Sequence, residues 1–212
     1  MDSLKRDYFF WVSVFLLVLS LIGFSDNLFF DVGQESNSDP KFIVHGLFFL
    51  AWFLLLVGQS WHIRKKNYRT HIALGSIGML IGLGVVLSTF WVFVAVYEGW
   101  AVMPEHVKAN RFLTASFALL VLLAYLYRKY GAWHKRFLLM GTIYVLGPVI
   151  GRVADKLGAE SLSTFVLYEA VIWNGLFISL FIYDWSQHKT IHPISWVGYL
   201  WFYGIWLLCS FV

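Results

Sequence analysis

The chain has 212 residues, of which 59% are hydrophobic and only 13% charged, and its mean hydropathy is +0.69. Soluble domains carry about 25% charged residues, so the composition argues against a water-soluble fold. The net charge of +4 comes from basic residues too few and too dispersed for a nucleic-acid surface. The single cysteine, Cys209, excludes an internal disulfide, a multi-cysteine zinc site and an iron–sulfur cluster.

A helix that crosses a hydrocarbon core needs roughly 20 mainly apolar residues. Seven such segments follow in chain order: 8–26, 42–62, 71–97, 105–128, 134–152, 162–184 and 193–212. They predict an all-α polytopic membrane protein in contact with lipid, one helical domain over 1–212 with short loops and no linker. Lys5 and Arg6 ahead of the apolar run Phe9 to Phe24 imitate a secretion signal. No small-x-small cleavage site follows and further apolar segments do, so a retained first helix is expected. Pro104 and Pro193 suit the first turns of the fourth and seventh helices, where a missing N–H is harmless. Pro148 falls inside the fifth segment, where a kink is expected.

Loop charges orient the predicted helices. With the N-terminus inside, that face receives Lys5, Arg6, Arg64, Lys65, Lys66, Arg69, Arg128, Lys129, Lys135, Arg136 and Lys189. The other face receives Lys41, Lys108, Arg111, Arg152 and Lys156, together with most loop acids, Glu160 among them. Eleven basic residues against five predict N-inside and, for seven helices, C-outside. The expected location is a bacterial cytoplasmic (inner) membrane. In the third segment Gly75, Gly78, Gly82 and Gly84 permit a close helix approach or leave room for a flat ligand, and the 78–82 spacing favours the former. Tryptophans and tyrosines at the segment ends read as interfacial belts.

Histidines carry the sharper signal. His45 lies near the outer end of the second segment and His106 near the outer start of the fourth; His71 opens the third on the inner side and His134 opens the fifth there. Four consecutive helices, 42–152, thus offer one candidate pair at each face. Two facing imidazoles can hold a haem iron axially, and two such centres would give electrons a route across the membrane. Boundary histidines that merely meet solvent, headgroups or a neighbouring side chain produce the same pattern. No Cys-x-x-Cys-His is present, so covalent haem attachment is not expected.

On these histidines, with His45-Gly46, the basic approach Arg69-Thr70-His71 and the run His71-Ile72-Ala73-Leu74-Gly75, the region 42–152 resembles the di-haem transmembrane b-type cytochromes, whose members include ascorbate-dependent ferric reductases. The resemblance implies one or two haem b groups. His45 with His106, and His71 with His134, would ligate the irons, and Arg152 would meet a propionate. The function it implies is transmembrane electron transfer, as an oxidoreductase whose donor and acceptor the sequence does not identify.

Two other readings stay open. His62, His71, His134, His188 and His192 all fall on or near the inner face, and three imidazoles can hold zinc with a position left for water, the chemistry of a zinc-dependent membrane hydrolase. His188 and His192 share a face if their segment is helical. A noncatalytic membrane protein or a transporter is the other reading. Its marks would be buried polar residues: Glu169, with Arg152 as the expected partner, and Asn174 nearby.

Overall fold

The computed structural model describes residues 7–159 and 161–212. Lys5, Arg6 and Glu160, which entered the charge distribution above, lie outside the described residues. Every regular element among the described residues is helical. By backbone proximity the chain divides into two compact units, the first ending at Val96 and the second beginning at Tyr97.

In the first unit, α1 (Tyr8–Gly23) leads through a single turn, α2 (Ser25–Leu28), and a 3₁₀ turn at Glu35–Asn37 into α3 (Pro40–Arg64), which is followed by α4 (Tyr68–Ala95). Asp39 caps α3 by accepting from Lys41 N at 3.0 Å, and Pro40 occupies the first helical position. Asn67 caps α4 by accepting from Thr70 N at 3.2 Å. α3 packs against α1 on one side and α4 on the other, burying Leu16 and Leu19 of α1, Trp52 and Phe53 of α3 and Val85 of α4. Arg64 adds an ion pair to Asp7 at 3.0 Å and lies over the rings of Phe10, Trp11 and Trp61.

The glycines of α4 serve this packing. A Cβ at Gly78 would stand 2.8 Å from Leu55 Cδ2, and one at Gly84 would run into the ring of Phe48. Side chains of α3 thus occupy the space those glycines leave, and the stripe lets two backbones approach.

In the second unit, α5 (Glu105–Leu126) and α6 (Gly131–Tyr144) form an antiparallel pair, α7 (Gly147–Lys156) continues α6 after a break, and α8 (Leu162–His188) and α9 (Pro193–Cys209) complete it. α9 packs against α5, α6 and α8, while α7 packs against α8. Pro193 takes the first helical position of α9, as expected, whereas Pro104 stands one residue before α5, in extended conformation. Pro148 acts as its chemistry requires. It has no N–H to give Tyr144 O four residues back, and its ring crowds that carbonyl, so the helix stops at Tyr144 and restarts bent by 51°. The indole of Trp173 donates to Ile143 O at 3.4 Å, satisfying a carbonyl at the break. Phe202 sits at the centre of the core, with Trp173, Phe177 and Tyr144 rings 4.9, 5.4 and 5.8 Å away.

Four helices, α3, α4, α5 and α8, are long and apolar enough to cross a membrane, and the bent α6–α7 pair makes a fifth if it is one span. Their most apolar windows are only 11–33% buried, so these surfaces need a hydrocarbon solvent and the chain is an integral membrane protein. α1 and α9, expected as full spans, have 16 and 17 helical residues. At 1.5 Å per residue each covers about 25 Å, short of a hydrocarbon core of about 30 Å.

Candidate functional site

His45 and His71 belong to the first unit, His106 and His134 to the second. His45, on the second turn of α3, is half-buried. Its Nδ1 faces Ser88 Oγ at 3.5 Å and Thr89 Oγ1 at 3.4 Å on α4. Both hydroxyls spend their protons on Val85 O, at 3.1 and 2.6 Å, so towards the histidine they offer lone pairs. A proton on Nδ1 suits these lone pairs, and a neutral ring then carries its own lone pair on Nε2. Phe49 packs edge-on at 4.7 Å and fixes the ring plane.

His134 reaches the same tautomer by a shorter bond. Its Nδ1 lies 2.8 Å from Ala124 O, and a carbonyl can only accept. Ala124 O is among the last four carbonyls of α5, which have no partner within their own helix. One hydrogen bond thus closes the end of α5 and aims the imidazole. Metal-bound histidines commonly donate one ring N–H to a backbone carbonyl in this way.

The remaining histidines are placed differently. His71 is half-buried on the first turn of α4, and His62 is half-buried in the last turn of α3. His106 is exposed on the first turn of α5. His188 and His192 do not share a helical face. α8 ends at His188, Lys189 takes a left-handed conformation (φ 57°), and His192 is the N-cap of α9. His192 Nδ1 accepts from Ile194 N at 3.3 Å, so its lone pair is spent on the cap. Among the described residues, no group of three or more His, Cys, Asp or Glu side chains is arranged to hold a metal ion.

Beside His192 lies a feature that a local reading of the sequence misses. Arg136 and Asp184 are fully buried and form an ion pair linking α6 to α8. Arg136 Nε donates to Asp184 Oδ1 at 3.0 Å and Nη1 to Ala132 O at 2.7 Å. The other carboxylate oxygen accepts from His192 N at 3.0 Å and from the buried Ser195 hydroxyl at 2.6 Å. Lys135 donates to Tyr183 OH at 2.8 Å alongside. Three helices meet at one satisfied carboxylate. Arg136 reads as an inner-face topology charge, and only the 48-residue separation to Asp184 reveals its other role.

Burial holds the His192 imidazole below its ordinary pKa, and the positive charge of Arg136 adds to this. His188 and Lys135 act in the same direction, and Asp184 opposes them. A base whose pKa is depressed on folding binds fewer protons folded than unfolded, so stability rises with pH across that window. The unfolding midpoint should fall as pH drops from 7 through about 6.5 towards the lower folded value. His192→Asn, which retains a capping side chain, should flatten that dependence. A wild-type midpoint constant from pH 7 to 5 would refute the assignment.

Asn174 is half-buried and fully engaged, donating to Ala170 O and Tyr203 OH at 2.8 Å each and accepting from Tyr199 OH at 3.3 Å. It ties α8 to α9. Glu169 is half-buried on α8 and does not pair with Arg152 as expected: among the described residues the two form no ion pair. α7 meets α8 where Gly151 faces Phe165, a Cβ there standing 3.2 Å from the ring, and Glu169 lies a turn further along. No protein-family model, curated protein or solved structure matches the chain.

Proposed function

We propose that the chain is a seven-span protein of a bacterial cytoplasmic membrane, N-terminus inside and C-terminus outside, that transfers electrons through b-type haem. The seven apolar segments and the uneven distribution of basic loop residues support the topology, with α1 and α9 accommodated by flanking apolar residues or local thinning of the bilayer. The observation that carries the functional reading is the tautomer shared by His45 and His134. In each unit one half-buried imidazole on an apolar helix turns Nδ1 to an oxygen of the protein, the contact that would orient the ring as a ligand. These two residues fit an axial iron ligand; His192, with its lone pair spent, does not.

Haem, when bound, supplies one-electron redox chemistry. His45 and His134 would hold the group, with Ser88, Thr89 and Ala124 O as the acceptors that orient their rings and raise their basicity. The deciding experiment is an absorption spectrum of gently purified protein, oxidised and then reduced with dithionite, together with iron and zinc analysis. A reduced b-type alpha band with one or two irons per chain is the expected result. Folded protein from haem-supplemented cells that carries neither band nor iron would refute the proposal. Stoichiometric zinc without the band would replace it with the hydrolase reading.

A further inference from the structure

Glu169 enters none of the contacts described above. It stands seven residues after Leu162, about 10 Å along α8, a helix long and apolar enough to cross a membrane. At the start of that helix the hydroxyls of Ser161, Ser163 and Thr164 bond to one another. Past them the exposed surface turns apolar, with Val166, Leu167 and Val171 around Glu169. The half-buried carboxyl is therefore set inside the polar end of the span. Among the described residues neither a hydrogen bond nor an ion pair reaches it.

The helices packed against α8 supply no counter-charge. On α7, Asp155 and Lys156 are exposed at the C-terminal end, and Arg152 forms no ion pair with Glu169. On α9 the titratable groups are Tyr199 and Tyr203, whose hydroxyls are bonded to Asn174, and the buried Cys209. Phenols and thiols are ordinarily neutral at pH 7. On α6, Arg136 is paired with Asp184, which lies fifteen residues, about 22 Å, further along α8. One turn from Glu169 on the same face is the buried Trp173, whose ring meets that of Trp206 at 5.8 Å. Trp206 Nε1 is buried without a hydrogen-bond partner, so even this indole donates nothing to the carboxyl.

An ionised carboxylate inside a span requires a counter-charge or several donors, and Glu169 is given neither. We propose that Glu169 is a proton-binding site within the α8 span, carried as the neutral carboxylic acid and open from the lipid to covalent modification by a hydrophobic carbodiimide. In that reaction the carboxyl O–H passes its proton to one carbodiimide nitrogen, and the carboxyl oxygen bonds to the central carbon as one C=N bond becomes single. The acyl group then shifts from that oxygen to nitrogen, giving a stable N-acylurea from which nothing has departed. A carboxylate has no proton to give and does not start the sequence. The site lies wholly within the second unit and is independent of haem.

The test treats the full chain in phosphatidylcholine nanodiscs with N,N′-dicyclohexylcarbodiimide and maps the adducts by peptide mass. At pH 7 the wild type should carry an adduct at Glu169, and Glu169→Gln, of nearly the same shape, should carry none on that peptide. The exposed Glu98 serves as an internal standard. Between pH 5 and pH 7 its labelling should fall almost a hundredfold, the loss of neutral fraction in an acid that ionises near about 4.3. Labelling of Glu169 should fall by no more than about threefold over the same range. That comparison needs only the wild type and so stands even if the variant does not fold. An infrared spectrum at pH 7 should show a protonated-carboxyl band that Glu169→Gln removes. Folded wild type without an adduct at Glu169, an adduct whose pH dependence follows that of Glu98, or an infrared band unchanged in folded Glu169→Gln would each overturn the proposal.

Discussion

Replacing Asp184 with alanine should destabilise the protein by about 3–5 kcal/mol, the cost of leaving a buried charge without its partner. Both side chains of the Arg136–Asp184 pair are 0% exposed, so water cannot solvate the abandoned guanidinium without opening the junction of α6, α8 and α9. The loss is compounded because His192 N and the Ser195 hydroxyl also lose their acceptor. Removing both charges should be far milder. Arg136→Met with Asp184→Leu should recover at least half of the loss, since apolar groups of similar size replace the ion pair without an orphaned charge. Unfolding midpoints in one detergent, compared across the single and double variants, measure this. Equal midpoints for wild type and Asp184→Ala would show that the carboxylate does not neutralise Arg136.

The second large effect is spectroscopic. His134→Ala and His45→Ala should each remove a haem band, because an axial ligand has no substitute in a methyl group. The supporting hydrogen bonds should be legible too. Thr89→Val keeps the shape of the side chain beside His45 and removes an oxygen facing Nδ1. Loss of such a supporting partner typically costs about 10–100-fold in affinity, so this variant should retain haem more weakly and at a shifted reduction potential. His192→Ala, whose lone pair is spent on the α9 cap, should leave the spectrum unchanged. Should all four variants show the wild-type band, the ligand assignment fails, whatever the haem content.

The membrane class, the helical segments, the bend at Pro148 and the packing glycines were legible in the sequence because each is a local effect. An apolar run, a missing N–H and a missing Cβ act on their immediate neighbours. What was not legible depended on partners distant in the chain. Arg136 resembles the basic residues around it until Asp184 is folded against it. Glu169 and Arg152 looked like a pair because both are charged residues of apolar segments, yet Gly151 faces Phe165, and Glu169 lies a turn beyond that contact. The His188/His192 spacing suggested one face, but Lys189 turns the chain between them. For the candidate haem ligands, sequence supplied residue type and helix end. The tautomers of His45 and His134 required neighbours on other helices.

The Arg136–Asp184 pair also sets an order of events during synthesis. Arg136 leaves the ribosome 48 residues before its counter-ion, and at about 5–20 residues per second that is an interval of roughly 2–10 s. During it α5 and α6 can meet as a hairpin, yet the guanidinium at their junction then has Ala132 O without Asp184. A guanidinium without its counter-ion is costly to bury, so the hairpin reaches its final packing only when α8 and α9 arrive.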